Sequence, residues 1–473
     1  MIAGGRTRRA LRAAGEKPLV HFGGASWSGS FLDEQTDSLA SFLQRRVTPG
    51  GRVGLWYWNS AYAVVSHLAV ERAGLTRVPV DPEAAAPEAK AIWNAADADL
   101  VVCDAAHAAS MPEATVFDQG EKLPAGGNPG PVEVSDDATH LLFPRSVASS
   151  GLLAIPISYG GWMAHMATNA RLYRDGTYGP AVSAADSLLT VQQVMHGTGL
   201  VATFPFLLMG LPQVILKRFD AAEVLEAVER YGVTTSFMVP GMVTRLAGQM
   251  ASSPGSAGLA RIVYGGAPVS AAELRSSLSG LGPVLTQIYG RLEGGWPLTV
   301  LNRSDHARIV SGDDTLLDSC GRAVPGVELQ IRHAAGGAEG RGELRVRGPM
   351  VSPAFRDPDG WCALGDLASR DATGYYRLHG RLDGMINTGS YHVYPVEVAE
   401  AIREMFEVSE VTVTGEPDPK WGQAVTANLR WPAEATVPDN GAIRQALRRR
   451  LAPYKVPTRF HHQRVGSPES VSK

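Results

Sequence analysis

Asp366, Arg381 and Asp383 stand within one glycine-punctuated run, Trp361 to Tyr394, with the sequence WCALGDLASRDATGYYRLHGRLDGMINTGSYHVY. A Gly-Asp turn, a Gly-Tyr hairpin and a Gly-Arg-x-Asp follow one another there, the pattern of short strands broken by tight turns. Side chains at such turns can leave the sheet. A carboxylate so placed can accept hydrogen bonds from the two vicinal hydroxyls of a ribose, and a nearby guanidinium can pair with a phosphate.

Turns of this kind need a scaffold, and the rest of the chain reads as one. Leu39, Phe42, Leu43 and Val47 fall at helical spacing, and Val53, Leu55 and Tyr57 alternate as in a strand. A helix beginning near Ala61 is stopped by Gly74, and a strand then leads into Asp81-Pro82. That is a βαβ rhythm. The longest apolar run, Gly199 to Leu216, contains Pro205, Gly210 and Pro212 and reads as a buried helix followed by a buried strand. Residues 121–137, rich in Gly and Pro, read as a loop. Near the end, Val398, Ile402, Met405 and Phe406 share one face of a helix that opens on Pro395.

Composition narrows the function classes. A chain of 473 residues can bury two or more cores. Its net charge of −3 leaves no footprint for nucleic acid or for an anionic membrane surface. Cys103, Cys320 and Cys362 lie far apart without metal-ligand spacing, which suggests reduced thiols, a small-residue core role and a cytoplasmic setting. The Arg-rich start, MIAGGRTRRALRAAGEK, precedes no apolar core, so it reads as a frayed, solvated terminus and not as a secretory signal.

Four further segments follow in order, VMHGTGL with GVTTSFMVPGM, RIVYGGAPVS, TQIYGRLEGG and LAPYKVP. Together with the Trp361–Tyr394 run they resemble the acyl-CoA synthetase and nonribosomal-peptide adenylation enzymes, the adenylate-forming (ANL) superfamily, over nearly the whole chain. The resemblance implies an α/β fold: a large N-terminal domain of layered α/β sheets, residues 1–382, and a small mobile C-terminal α+β domain, residues 383–473. It implies activation of an aryl or aliphatic carboxylic acid as an acyl adenylate, using ATP and Mg²⁺. Transfer to a thiol (CoA or the phosphopantetheine of an acyl carrier protein) or to an amine would follow. By the same resemblance Asp366 holds the ribose, Arg381 contacts the nucleotide and Asp383 is the hinge. Gly265, Gly266 and Ala267 form the adenine wall, Tyr289 stacks on the base, and Glu293 coordinates Mg²⁺. His196 lines the acyl pocket, and Lys473 is the bridging ammonium of adenylation. A small carboxylic acid and a carrier protein are the implied partners; nucleic acid and membrane are not.

Where the family keeps its phosphate loop, the chain departs from the pattern. FPRSVASSGLLAIPISYGGW retains hydroxyls at Ser146, Ser149 and Ser150, but Leu153 stands at the lysine position and residues 144–162 contain no lysine. Arg145 is the cation there. Leu292 replaces a threonine, Ser390 replaces a glycine beside the thiol path, and no glycine precedes Lys473. These losses leave two alternatives open. One is an ATP-independent acyltransferase or condensing enzyme working on a preactivated thioester, and the other a catalytically silent binding protein. Retention of Glu293, Asp366 and Arg381 favours acid activation, since without a nucleotide they have no task.

Overall fold

The computed structural model describes residues 1–118, 127–148, 151–252, 258–333, 340–382, 384–389 and 391–464. They form two compact units, one made of residues 1–82, 97–144 and 154–382, the other of residues 83–96, 145–153 and 383–473.

The first unit is built on a sheet of 13 strands. At its heart Leu188–Thr190, Gln213–Ile215, Thr235–Met238, Arg261–Gly265 and Leu285–Arg291 run parallel. Helices Gly197–Leu208, Ala221–Tyr231, Pro240–Ser252 and Ala271–Leu281 connect them. The short central strands are buried at every position, as expected where helices cover both faces of a parallel sheet. Direction then reverses. Gly295–Leu301, Ser319–Ala323, Tyr376–Arg381, Cys362–Arg370, Arg341–Arg347 and Glu328–Arg332 continue the sheet as an antiparallel extension. The first part of the run that opened the sequence analysis, through Arg381, therefore belongs to this extension, and its last strands, Ile386–Thr388 and Tyr391–Val393, belong to the second unit.

A second sheet, of six strands, carries the expected βαβ unit, strand Arg52–Trp56, helix Ala61–Arg72 and the parallel strand Thr76–Pro79. Gly74 follows the helix at φ +71° and turns the chain. Alternation at Val53, Leu55 and Tyr57 is not what the structure shows, because Val53 to Tyr57 are all buried, as befits a strand covered on both faces. The apolar run gives helix Gly197–Leu208 and strand Gln213–Ile215 as read, with Pro205 accommodated inside the helix.

The reading of the N-terminus as frayed is corrected. Residues Gly5–Ala14 form a helix whose Thr7 and Leu11 are buried. Arg8 and Arg12 hydrogen-bond Asp37 and Asp33 of helix Gly29–Arg46. Two of the arginines that suggested a solvated tail, Arg8 and Arg12, are the helix's attachment points.

The second unit centres on a five-stranded sheet, Ile386–Thr388, Tyr391–Val393, Glu410–Asp418, Gly422–Trp431 and Arg459–Arg464, with helices Pro395–Met405 and Asn440–Leu447. Val398 and Ile402 are fully buried as the stripe suggested, whereas Met405 is 36% exposed; Ala399 and Ala401 fill the face instead. Within this unit Lys455, only 3% exposed, places its ammonium 2.6 Å from Glu88 Oε1 and 2.7 Å from Glu397 Oε1. Among the described residues no helix is long and apolar enough to cross a membrane.

Candidate active site

Asp366 is the centre of the arrangement. Strands Cys362–Arg370 and Tyr376–Arg381 are paired so that Asp366 faces Arg381 directly. Gly365, at φ +69°, sets the backbone bend that precedes the carboxylate. Arg381 donates from Nη1 to Asp366 Oδ1 at 2.9 Å and to the Leu364 carbonyl at 3.0 Å. Tyr289 donates its hydroxyl to Asp366 Oδ2 at 2.6 Å. In strand order Tyr289 sits four places from Asp366, which in a flat sheet would separate them by about 19 Å. The hydrogen bond is possible because the sheet curls back on itself. Burial, then the Asp366 charge, pushes the Tyr289 phenol well above its ordinary value, so it remains a donor at any working pH.

The Gly265–Gly266–Ala267 turn ends strand Arg261–Gly265. A Cβ on Gly265 would lie 2.2 Å from the Ile288 carbonyl oxygen, so no larger residue fits there. Gly266 has φ +85°, and a Cβ there would meet Thr198, Trp296 and Val239 at 3.4–3.9 Å.

His196 caps helix Gly197–Leu208 with extended backbone, and its side chain is 24% exposed. Its Nε2 lies 3.4 Å from Asp81 Oδ2. The same turn approaches the Tyr289 hairpin, since a Cβ on Gly197 would come within 2.8 Å of the Leu292 side chain. Glu293, on the turn between Leu285–Arg291 and Gly295–Leu301, is buried and accepts from Arg291 Nη2 at 3.1 Å. One stretch of the first unit thus gathers the Asp366 cluster, the 289–293 hairpin, the glycine turn and the His196 turn.

Other expected site residues are placed differently. Ser146 lies on strand Thr139–Ala148, while Ser149, Ser150, Asp383, Ser390 and Lys473 lie outside the described residues. Arg145 belongs to the second unit, with its guanidinium 5.4 Å from the centre of the Tyr394 ring. Leu153, at the expected lysine position, is 44% exposed. Cys103, Cys320 and Cys362 are buried and free of disulfides, and burial raises each thiol to about 12, too high for nucleophilic use. Sequence reading missed Arg291 as the partner of Glu293 and Asp81 as the partner of His196. Arg291 is local, two residues before Glu293 on the same hairpin, whereas Asp81 reaches His196 only by folding, with the Asp-Pro after a strand as its one sequence signal.

The model of the AMP-binding enzyme family matches residues 7–140 and 154–355, and that of the AMP-binding enzyme C-terminal domain matches 397–467. The chain belongs to the AMP-binding enzymes. Among curated relatives, the medium/long-chain-fatty-acid–CoA ligase FadD8 of Mycobacterium tuberculosis is 33% identical over 236 residues, 47% of this chain and 40% of that protein. The feruloyl-CoA synthase of an Amycolatopsis species is 27% identical over 95% of this chain and 92% of its own length. The chain therefore spans less than half of the first relative and nearly all of the second. Among solved structures, the amide bond synthetase McbA from Marinactinospora thermotolerans superposes with a TM-score of 0.84 at 28% identity, covering 97% of this chain and 95% of that one. As an AMP-binding enzyme the chain has the expected α/β architecture, a large N-terminal region of layered sheets with a smaller C-terminal domain.

Proposed function

We propose that this AMP-binding enzyme activates an aryl or aliphatic carboxylic acid with ATP, giving an acyl adenylate and pyrophosphate, and then transfers the acyl group to a thiol or an amine with release of AMP. The single observation that carries this reading is Asp366 held between Tyr289 and Arg381. An ionised carboxylate offers about four acceptor positions. Each Asp366 oxygen has one taken in the structure and one left, on a side chain that two donors hold still. That matches the demand of a ribose diol. Arg381, fixed by the carboxylate and the Leu364 carbonyl, adds positive charge on the nucleotide side.

Glu293 would hold Mg²⁺ through a carboxylate oxygen, the donor type that a hard cation takes. Among the described residues there is no group of three or more His, Cys, Asp or Glu to form an all-protein cage. This fits a metal that takes one or two carboxylates and completes its shell with phosphates and water. When bound, the ion neutralises charge developing on the phosphates. Arg291, already on Glu293, fixes the carboxylate's orientation. His196 lies 3.4 Å from Asp81 on the turn whose Gly197 approaches Leu292, and it would face the acid. Lys473 is proposed as the bridging ammonium and Asp383 as the hinge on the family resemblance alone. Both acceptor classes occur among the relatives, CoA in the ligases and an amine in the amide bond synthetase. CoA or a carrier-protein phosphopantetheine is the thiol proposed.

A second reading is favoured by one specific observation, the absence of lysine from residues 144–162. On that reading the scaffold transfers an acyl group from a preactivated thioester and leaves ATP aside. Nucleotide binding separates the two. AMP at a hundredfold excess over its Kd is expected to add about 2.7 kcal/mol of stability, seen as a rise of several degrees in the melting temperature of the wild type. A melting curve unmoved by saturating AMP would turn the assignment to the ATP-independent reading.

A further inference from the structure

Asn59 lies in the short connection between strand Arg52–Trp56 and helix Ala61–Arg72, and it is fully buried. Its amide is matched by a segment 133 or more residues further along the chain. Oδ1 accepts from the Val194 N–H at 2.8 Å, and Nδ2 donates to the Gln192 carbonyl at 2.8 Å and to the Leu216 carbonyl at 3.1 Å. The backbone N–H of Asn59 donates to Gln193 Oε1 at 3.1 Å. A buried amide is costly to leave unpaired, and one whose donors and acceptor all end on another element fixes that element's backbone.

What Asn59 fixes is the turn that leads to His196. Gln192 and Val194 follow strand Leu188–Thr190, and Leu216 follows its parallel neighbour Gln213–Ile215. Loops at the carboxyl ends of parallel strands are where open α/β sheets place their ligands. The His196 N–H donates to the Gln193 carbonyl at 2.9 Å, and a Cβ on Gly199 would lie 2.1 Å from that same oxygen, so the turn is closely packed. The imidazole is held from the same side. Asp81 Oδ2 lies 3.4 Å from His196 Nε2, and the Asp81 carbonyl accepts from Trp56 Nε1 at 3.1 Å. Two loops that follow the paired strands Arg52–Trp56 and Thr76–Pro79 thus hold His196, Asn59 through the backbone and Asp81 through the ring.

Resting on the reading above that His196 faces the acid, we infer that Asn59 is a positioning residue for acid recognition, acting through the Gln192–His196 turn. A side chain that meets a substrate must be held to within about 0.5 Å of its productive place, and hydrogen-bonded groups behind it supply that hold. Asn59 makes no claim on the nucleotide. The Asp366 cluster has its own partners, Tyr289 and Arg381, and shares none of them with Asn59.

The test separates the acid from the nucleotide and then asks whether Asn59 works through His196. Asn59→Ala should lower kcat/KM for the acid roughly ten- to a hundredfold, the cost of a misplaced contact, while KM for ATP and the AMP-dependent rise in melting temperature stay at their wild-type values. Asn59→Asp keeps the shape and the Val194 bond but turns an oxygen towards the Gln192 and Leu216 carbonyls. It should shift the acid kinetics in the same direction and carries the comparison if Asn59→Ala folds poorly. His196→Ala alone should also lower kcat/KM for the acid, and adding Asn59→Ala to it should cost little more, because residues that act as one unit are not additive. The inference is overturned if the two losses multiply, or if KM for ATP rises with that for the acid. Should His196→Ala leave the acid kinetics of an active wild type unchanged, the acid-facing reading of His196 fails and this inference falls with it.

Discussion

Asp366→Ala is expected to abolish the AMP-dependent rise in melting temperature and to lower acid-dependent adenylate formation by roughly two to three orders of magnitude, the loss found when one preorganised polar group is removed from a closed site. The carboxylate is the shared partner of Tyr289 and Arg381. Its removal therefore costs more than the ribose contact, because the phenol and the guanidinium lose the group that aims them. Arg381 keeps the Leu364 carbonyl but loses its 2.9 Å ion pair with Asp366 in a buried setting. The ligand-free variant should accordingly melt lower than wild type. The informative quantity is the increment produced by AMP, measured by scanning calorimetry with each protein against its own ligand-free curve. An unchanged increment in Asp366→Ala would remove the ribose assignment.

The second large effect concerns stability. Lys455→Met should destabilise the second unit by about 3–5 kcal/mol, the usual result of stranding buried charge. The lysine is the common partner of Glu88 and Glu397, and all three side chains are buried. Burial, partly offset by Lys455, already raises the Glu397 carboxyl to about 7, and the Glu88 charge pushes it in the same direction. Without the lysine it rises further. A carboxyl whose folded value lies above its ordinary 4.5 costs stability once the pH exceeds that ordinary value. The cost grows until the pH passes the folded value and is relieved on returning to acid. The deficit of Lys455→Met relative to wild type should therefore be largest above pH 7 and shrink towards pH 5. Urea unfolding at several pH values checks this. Combining Lys455→Met with Glu88→Leu and Glu397→Leu should recover most of the loss, since well-packed apolar replacements of buried ion clusters are often neutral or stabilising. A deficit that does not vary with pH would mean that the lost contribution is packing of the lysine stem alone.

How much of this was legible in the chain depends on how local each feature is. The Asp366–Arg381 pair was readable because both residues lie in one run of turns, on strands Cys362–Arg370 and Tyr376–Arg381 that a short hairpin brings side by side; the one-residue register shift at Leu367/Ala368 that sets them opposite each other was not. The glycine turn was readable for a similar reason, as Gly265 and Gly266 are demanded by a close approach and a positive φ. What could not be read came from distant packing. Tyr289 reaches Asp366 only because the sheet curls, and no spacing between positions 289 and 366 encodes that. Lys455 meets Glu88 across 367 residues of chain. In LAPYKVP it looks like any exposed lysine before a proline. The N-terminal helix was misread because its arginines signal solvent by composition, while their partners Asp33 and Asp37 lie on another helix. Val53 to Tyr57 was misread because the two-residue period applies to a strand with one wet face, and this one has none.

The central claim is that a carboxylic acid is joined to AMP at this site. Its most direct test is exchange of labelled pyrophosphate into ATP, run with and without acids from aryl, heteroaryl, fatty and amino-acid classes, in the presence of Mg²⁺. The account predicts exchange that depends on an aryl, heteroaryl or aliphatic acid, that is absent without acid, and that is lost in Asp366→Ala. Exchange with no acid of any class, in a wild-type protein that transfers an acyl group from a preformed thioester without ATP, would contradict it.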